Sequence, residues 1–186
     1  STPLYSSAAS DVYKRQVYTQ PAKKSQRGQK INKSPIQTAA EDYNIDCRTP
    51  NTLKKNKEEY EYLKQLDLDL VIVVAYGQII PKEFLNLAKK GFINIHTSLL
   101  PKWRGAAPIQ RSIMNLEKET GISIMRIGEK LDTGPVCNSY RVQIKVSDNA
   151  EMISNKLSIL ASEKIIENVD SIFKDKLIFK EQDDSK

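Results

Sequence analysis

The chain has 186 residues, of which 39% are hydrophobic and 28% charged, and its formal net charge is +6. This length suits one domain with a sizeable core and is short of what two full domains usually need, so we expect one globular unit. No apolar run approaches the roughly 20 residues of a membrane helix, and the N-terminus lacks the pattern of a signal peptide, which argues against a membrane or secreted protein.

Cysteine and histidine are scarce in this chain. Cys47 and Cys137 are too far apart for a metal-binding CxxC pair and too few for a disulfide framework, so we expect two free thiols in a reducing compartment. With His96 as the only histidine and no clustered carboxylates, a zinc site would lack ligands, and no metal is predicted.

The elements are predicted from hydrophobic period and turn signals. Residues 1–16 have no sustained period and are predicted to be a disordered tail. A polar, basic loop should follow residues 20–21 and extend to Lys33. The predicted strands are 17–19, 45–48, 70–75, 92–95, 122–127 and 136–144. The predicted helices start at Pro35 and, further on, cover 58–66, 81–89, 108–116 and about 148–173.

Caps and apolar faces add detail to three of these elements. Ser34 as N-cap, Pro35 at the first position and Gln37 three residues after the cap predict the start of the first helix. The apolar face of that helix is predicted to comprise Ile36, Ala39, Ala40 and Tyr43. The continuous apolar run 70–75 is typical of a strand covered on both faces. Asp148 and Glu151 are expected to cap the last helix.

Positive charge is concentrated near the N-terminus. Between Val12 and Ala40 all charged residues are basic, namely Lys14, Arg15, Lys23, Lys24, Arg27, Lys30 and Lys33. Such a segment attracts polyanions, nucleic acid above all, although a solvated basic loop without a partner has the same composition.

Strands that alternate with helices predict an α/β protein whose open sheet is parallel over most of its width. Sites in such sheets form beyond the carboxyl ends of the strands, where Asn94 and His96 are expected. Because side chains alternate along a strand, these two residues should share one face. An amide beside an imidazole can hold an oxyanion and move a proton.

Asp132 lies in a tight Asp-Thr-Gly-Pro turn between two predicted strands. If that loop folds over the same strand ends, its carboxylate would orient His96 and stabilise the protonated ring. An ordinary hydrogen-bonded histidine and an ordinary turn-forming aspartate have the same spacing, since an isolated Asn-x-His is a weak signal.

The stretch 93–111, Ile-Asn-Ile-His-Thr-Ser-Leu-Leu-Pro-Lys-Trp-Arg-Gly-Ala-Ala-Pro-Ile-Gln-Arg, followed by Leu-Asp-Thr-Gly at 131–134, resembles the methionyl-tRNA formyltransferase family. Folate-dependent formyltransferases share Asn-x-His, Ser-Leu-Leu-Pro and a later Asp, and the Trp-Arg-Gly-Ala-Ala-Pro-Ile-Gln-Arg run points to the tRNA enzymes. The resemblance implies a Rossmann-like open, mostly parallel sheet with helices on both faces. It also implies formyl transfer from 10-formyltetrahydrofolate to methionyl initiator tRNA without a metal.

The resemblance also assigns site residues. Asn94, His96 and Asp132 would be catalytic. The folate pocket would be lined by Tyr76, Gly77, Gln78, Ile79 and Ile80 and by Ser98, Leu99, Leu100 and Pro101, although plain packing remains open for Leu99 and Leu100. The basic loop resembles one through which the family contacts the acceptor arm of initiator tRNA. The residues expected at the tRNA are Lys23, Lys24, Arg27, Gly28, Lys30 and Arg104.

The sequence departs from the family pattern at both ends. Nothing in residues 1–16 matches the family's first strand with its Phe-x-Gly-Thr-Pro turn, so we expect a non-family tail there. Residues 17–182 are expected to form a partial catalytic domain without that central strand, 183–186 a short tail, and the family's C-terminal β-barrel is expected to be absent. A missing central strand would expose ladder hydrogen bonds, so we expect the chain to fold poorly.

Two other functions stay open. One is a sister formyltransferase acting on a small amine such as glycinamide ribonucleotide or an amino sugar, against which the basic loop and residues 103–111 argue. The other is an inactive tRNA-binding fragment in which only the basic loop works. The expected protein is a monomer of the bacterial cytoplasm or an organellar matrix, with initiator methionyl-tRNA and folate as partners and no membrane contact.

Overall fold

The computed structural model describes residues 16–25 and 30–185. These residues divide into two compact units. The first comprises the described residues up to Glu59 together with Tyr76–Gln78, and the second comprises Tyr60–Ala75 and the chain from Ile79 onward. The predicted extent of the catalytic domain, 17–182, stays a prediction.

The first unit contains short strands and one complete helix. In chain order its elements are β1 (Val17–Tyr18), β2 (Lys23–Ser25), β3 (Lys30–Asn32), α1 (Pro35–Asp42), β4 (Cys47–Arg48) and the beginning of α2 (Lys57–Gln65). Strands β1 and β4 pair in parallel, while β2 and β3 form an antiparallel pair. This pair lies within the segment that was predicted to be a polar loop, and the prediction was wrong for these residues. The strand sequences Lys-Lys-Ser and Lys-Ile-Asn show no alternation of apolar and polar residues that would have indicated strands.

Helix α1 begins as predicted but buries less than predicted. Ser34 Oγ accepts a hydrogen bond from the backbone N–H of Gln37 at 3.0 Å, which satisfies one of the free donors of the first turn. Of the predicted apolar face only Ala40 is buried, whereas Ile36 is 54% and Tyr43 78% exposed. The predicted face was wrong because this short helix contacts β1 and β4 through a narrow stripe.

A buried carboxylate joins three elements of the first unit. Glu59 accepts hydrogen bonds from Tyr18 Oη at 2.6 Å and from Arg48 Nε at 2.8 Å, and its side chain is 9% exposed. Burial alone would raise the pKa of Glu59, but the hydrogen bonds from Arg48 and Tyr18 outweigh it and hold that pKa below its ordinary value.

The second unit is built on a four-stranded sheet. After the rest of α2 its elements are β5 (Val71–Val73), α3 (Lys82–Leu85), β6 (Phe92–His96), α4 (Pro108–Met114), β7 (Glu119–Arg126), β8 (Val136–Gln143) and α5 (Ala150–Phe173). The strand order is β5-β6-β7-β8. Strands β5 and β6 are parallel, and the other two pairings are antiparallel, so the sheet is mixed and less parallel than the sequence predicts.

Three predicted details of the second unit differ in the structure. Strand β5 is shorter than 70–75, and Ile72 is 43% exposed, so this run is not covered on both faces. Helix α3 has only four residues where 81–89 was predicted. The N-cap of α5 is Asn149, whose Oδ1 accepts from the N–H of Met152, while Asp148 instead accepts from the side chain of Lys156.

One part of the core of this unit lies between a face of the sheet and helices α4 and α5. Ile95 and Ile122 pack against Ile153 and Leu157 of α5, with Ile109 and Ile113 of α4 beside them. The isoleucines of β6 therefore point toward the helices, and Asn94 and His96, which alternate with them, lie on the opposite face. None of the helices in the described ranges has both the length and the apolar character that a membrane span needs.

Candidate active site

Two of the predicted catalytic residues lie next to each other on β6. Asn94 and His96 pair across the ladder with Met125 and Ser123 of β7, so the strand register places both on the same face. His96 is 7% exposed, which removes most competing water from its ring.

The third predicted residue, Asp132, reaches this face from the loop between β7 and β8. Its Oδ2 lies 3.5 Å from His96 Nδ1 and accepts a hydrogen bond from the backbone N–H of Gly105 at 2.9 Å. Its Oδ1 accepts from Asn94 Nδ2 at 3.3 Å. The structure thus brings Asn94, His96 and Asp132 into one cluster within the second unit.

The other ring nitrogen of His96 contacts a backbone group. His96 Nε2 lies 3.0 Å from the carbonyl oxygen of Trp103, a residue with a left-handed φ of 59°. Both ring nitrogens therefore face oxygen acceptors, an arrangement in which a ring that carries two protons can donate on both sides. Sequence reasoning missed this contact because a peptide carbonyl has no residue signature.

The segment before Trp103 is fixed by buried hydroxyl groups. Ser123 Oγ donates to the carbonyl of Ser98 at 2.8 Å and accepts from the N–H of Leu100 at 3.1 Å. Ser98, which is fully buried, donates its own hydroxyl to the carbonyl of Lys102 at 2.6 Å. These bonds hold the loop whose carbonyl contacts His96, so we assign Ser123 a supporting role that the sequence did not indicate.

The predicted folate residues fall into both units. Tyr76, Gly77 and Gln78 belong to the first, and burial raises the pKa of Tyr76 to about 12. The second contains Ile79, which is 84% exposed, Ile80 and the Ser98–Pro101 segment. A cleft of about 260 Å³ is lined by Leu99, Leu100 and Pro101 together with Lys102 and Trp103. Folate binding by these residues stays a prediction.

The predicted tRNA residues are only partly described. Lys23 and Lys24 lie on β2 and Lys30 on β3, while Arg27 and Gly28 fall outside the described residues. Arg104 is described in full, and its guanidinium donates to Gln182 Oε1 at 2.9 Å and to Asp184 Oδ1 at 2.7 Å.

The described part of the chain offers neither a cluster of metal ligands nor a disulfide. Within residues 16–25 and 30–185, no group of three or more His, Cys, Asp or Glu side chains is arranged to hold a metal ion. Cys47 and Cys137 are free, as predicted, and burial raises the pKa of both thiols, which favours the protonated form over the reactive thiolate.

Comparison with protein families gives a decisive match. The sequence profile of the formyl transferase family matches residues 5–169, which include Asn94, His96 and Asp132. The chain belongs to the formyltransferase family. The match begins at residue 5, within the segment 1–16 for which a non-family tail is predicted. The end of that tail at residue 16 stays a prediction.

Curated relatives are methionyl-tRNA formyltransferases. The formyltransferase domain here is 88% identical over 169 residues to the enzyme of Pelagibacter ubique, a match that covers 91% of this chain and 54% of that protein. It is 46% identical over 156 residues to the enzyme of Prochlorococcus marinus, covering 84% of this chain and 46% of that protein. The chain spans about half the length of these relatives.

Solved structures of formyltransferases share the fold. Phosphoribosylglycinamide formyltransferase from Bacillus halodurans matches with a TM-score of 0.67 at 22% identity, over 81% of this chain and 75% of that one. The formyltransferase PseJ from Anoxybacillus kamchatkensis, in complex with UDP-4,6-dideoxy-4-formamido-L-AltNAc and tetrahydrofolate, matches with a TM-score of 0.66 at 20% identity, over 92% and 82%. The predicted α/β formyltransferase fold is confirmed.

Proposed function

We propose that the protein containing this chain is a methionyl-tRNA formyltransferase, which moves a formyl group from 10-formyltetrahydrofolate to the amino group of methionine on initiator tRNA. One observation carries the proposal. Asn94, His96 and Asp132 converge in one cluster around the buried His96 ring, in a chain that is 88% identical over 169 residues to an enzyme of that name.

In the proposed reaction the amino nitrogen of methionine attacks the formyl carbon and forms the new C–N bond, while the formyl oxygen becomes an oxyanion. The Asn94 amide and the protonated His96 ring donate hydrogen bonds to that oxyanion. The intermediate collapses when the bond from the formyl carbon to N10 of the folate breaks. N10 gains a proton and the attacking nitrogen loses one, through His96 or a water, which yields formylmethionyl-tRNA and tetrahydrofolate.

His96 has to exchange one hydrogen bond to act in this way. Its Nε2 lies 3.0 Å from the Trp103 carbonyl, a neutral acceptor. A substrate oxyanion is a stronger acceptor because hydrogen bonds to charged groups are roughly twice as strong as those between neutral groups. We infer that the oxyanion displaces the Trp103 carbonyl from Nε2, while Asp132 keeps the ring oriented from the Nδ1 side.

The acceptor assay tests the proposed substrate. The chain is extended to the length of its Pelagibacter relative, supplied with 10-formyltetrahydrofolate and offered initiator methionyl-tRNA, glycinamide ribonucleotide or an amino sugar nucleotide in turn. We expect formylation of the tRNA alone. Formylation of a small amine with no transfer to the tRNA would contradict the proposal.

A salt titration tests the proposed tRNA contact of the basic loop. Replacing Arg27 and Lys30 by alanine should weaken tRNA binding and make the logarithmic salt slope shallower by about one per lost phosphate contact. Replacing Lys174 and Lys176, two exposed lysines after α5, removes the same charge as a control. Equal salt slopes for the two double variants would remove the loop from the interface.

A further inference from the structure

The carboxylate of Asp132 depends on an unusual backbone conformation. Asp132 has a φ of 50°, in the left-handed region. Such conformations persist in residues other than glycine when surrounding contacts hold them. Both carboxylate oxygens accept hydrogen bonds from groups of the site. The contacts that hold the main chain of this loop therefore also determine the position of the carboxylate.

The side chain of Gln182 holds that main chain. Gln182 Nε2 donates to the carbonyl oxygens of Asp132 at 2.9 Å and Gly134 at 2.8 Å. Its Oε1 accepts from Arg104 Nε at 2.9 Å. The opposite orientation of the amide would set its oxygen against two carbonyl oxygens and its nitrogen against a donor, so the contacts fix the orientation.

The segment after α5 brings Gln182 to this position. Leu177 and Phe179 pack against the cluster formed by Ile93, Ile124 and Ile172. Lys180 then exchanges two backbone hydrogen bonds with Val136, at 2.8 and 2.9 Å, at the start of β8. Gln182 follows two residues later, half-buried, on a segment anchored independently of its own side chain.

Gln182 joins the two loops between which His96 is held. One loop carries Asp132, whose Oδ2 lies 3.5 Å from His96 Nδ1. The other contains Trp103, whose carbonyl contacts His96 Nε2, and Arg104, which donates to Gln182. The Gln182 amide thus adds a bridge between these loops to the direct hydrogen bond from the Gly105 N–H to Asp132 Oδ2, and both links act on the distance between the two acceptors of the histidine ring. Gln182 lies beyond residues 5–169, the range of the family match.

We propose that Gln182 is a positioning residue for formyl transfer, which holds the Asp132 and Trp103 loops at the spacing that keeps His96 oriented. This inference rests on the proposed function for its kinetic consequence, but its structural part does not. A displacement of about 1 Å can lower a catalysed rate by about a hundredfold, so loss of this hold should reduce kcat more than it raises KM.

Two variants of the full-length enzyme separate the contacts of Gln182. Gln182→Met keeps the side-chain volume and removes all three side-chain hydrogen bonds. Gln182→Glu keeps an acceptor for Arg104 but places a carboxylate oxygen, which cannot donate, against the two backbone carbonyls. We expect kcat to fall about tenfold to a hundredfold in both, with KM for the folate within about twofold. Gln143→Met, a matched change of an exposed glutamine on β8, should leave both constants unchanged.

The outcomes separate positioning from stability. A wild-type kcat in Gln182→Glu would overturn the proposal, since the Arg104 contact alone would then suffice. A lower melting temperature with undiminished kcat in the folded protein would assign Gln182 a structural role and would also overturn it.

A second readout does not depend on formyl transfer. In the full-length enzyme labelled with 15N-histidine, the ring signals of His96 are assigned by their absence from the spectrum of His96→Ala. A purification tag without histidine is required. We expect the ring shifts at constant pH to change in both Gln182 variants and to stay as in the wild type in Gln143→Met. If wild-type enzyme transfers no formyl group, the proposed function fails, while unchanged His96 signals in the Gln182 variants would refute the positioning role itself.

Discussion

Nδ1 of His96 faces Oδ2 of Asp132 at 3.5 Å, and the two side chains are 8% and 12% exposed. Burial strengthens the interaction of such a pair relative to an exposed one, because little water screens it. The separation is longer than an ordinary N–H···O hydrogen bond, and catalytic contacts often shorten only when substrate binds. In the proposed mechanism the pair is therefore already oriented, and substrate binding would shorten the contact.

Replacing His96 by alanine should abolish measurable formyl transfer. Removal of a positioned proton-transfer group typically lowers a rate by about 10² to 10⁴. Tetrahydrofolate should still bind, because the folate-binding segments predicted from the sequence do not include His96. Turnover of the full-length enzyme and calorimetric titration with tetrahydrofolate measure the two effects. Near-normal turnover would remove His96 from the mechanism.

Replacing Ser123 by alanine should destabilise the second unit. The Ser123 hydroxyl is fully buried and bonds to the carbonyl of Ser98 and the N–H of Leu100. A buried backbone group left without a partner costs about 1–3 kcal/mol in the free energy of unfolding. Urea unfolding of Ser123→Ala compared with Ser158→Ala, an exposed serine of α5, measures this cost. Equal stability of the two variants would show that the loop does not depend on Ser123.

Gly134 should not tolerate a side chain. A Cβ at this position would lie 2.0 Å from the carbonyl oxygen of Arg126, so the backbone of β7 or of the Asp132 loop would have to move. Overpacking of this kind typically costs about 1–3 kcal/mol. Gly128→Ala is the matched control, because its Cβ would have no neighbour closer than 3.8 Å. Thermal melts in which both variants lose the same stability would contradict this expectation.

Protonation of Glu59 should weaken the first unit in acid. Burial raises the pKa of Glu59, but the hydrogen bonds from Arg48 and Tyr18 together lower it by more, so the pKa in the folded protein lies below the ordinary value. A carboxyl with a lowered folded pKa stabilises the fold above its unfolded pKa of about 4.3, and this contribution is lost as the pH falls through the folded value.

Unfolding experiments at a series of pH values measure this contribution. The difference in unfolding free energy between wild type and Glu59→Gln should be largest above about pH 5 and shrink as the pH falls. Glu58→Gln, whose side chain is 85% exposed, should cost little at neutral pH, as exposed pairs generally do. A difference for Glu59→Gln that does not vary between pH 3 and 7 would rule out the ionised carboxylate as its source.

Parts of the site that depend on local periodicity could be predicted from the sequence. Asn94 and His96 share a face because β6 is a regular strand with a period of two. The contact with Asp132 required the path of the loop after β7, which spacing does not encode. The contact of Trp103 was missed because it is made by a peptide carbonyl, which has no residue signature. The contact of Gln182 was missed because the path of the segment after α5 cannot be read from the sequence.

Errors in the fold have the same origin. The antiparallel pair of β2 and β3 consists mostly of polar residues, whose sequence shows no alternation typical of a strand, so it could not be predicted from periodicity. Ile36 and Tyr43 have helical spacing with Ala40, yet they are exposed because the partner surface of α1 is small. Periodicity indicates which residues share a face, and only the packed neighbours determine how much of that face is covered.

The Trp103 carbonyl that holds His96 would survive any ordinary substitution at that position, because every amino acid brings the same peptide oxygen. Substitutions of Trp103 would therefore test the role of its indole ring and leave the carbonyl acceptor unchanged. Replacing the peptide bond after Trp103 by an ester would make that carbonyl a weaker hydrogen-bond acceptor. This change would allow the contribution of the contact with His96 Nε2 to be measured.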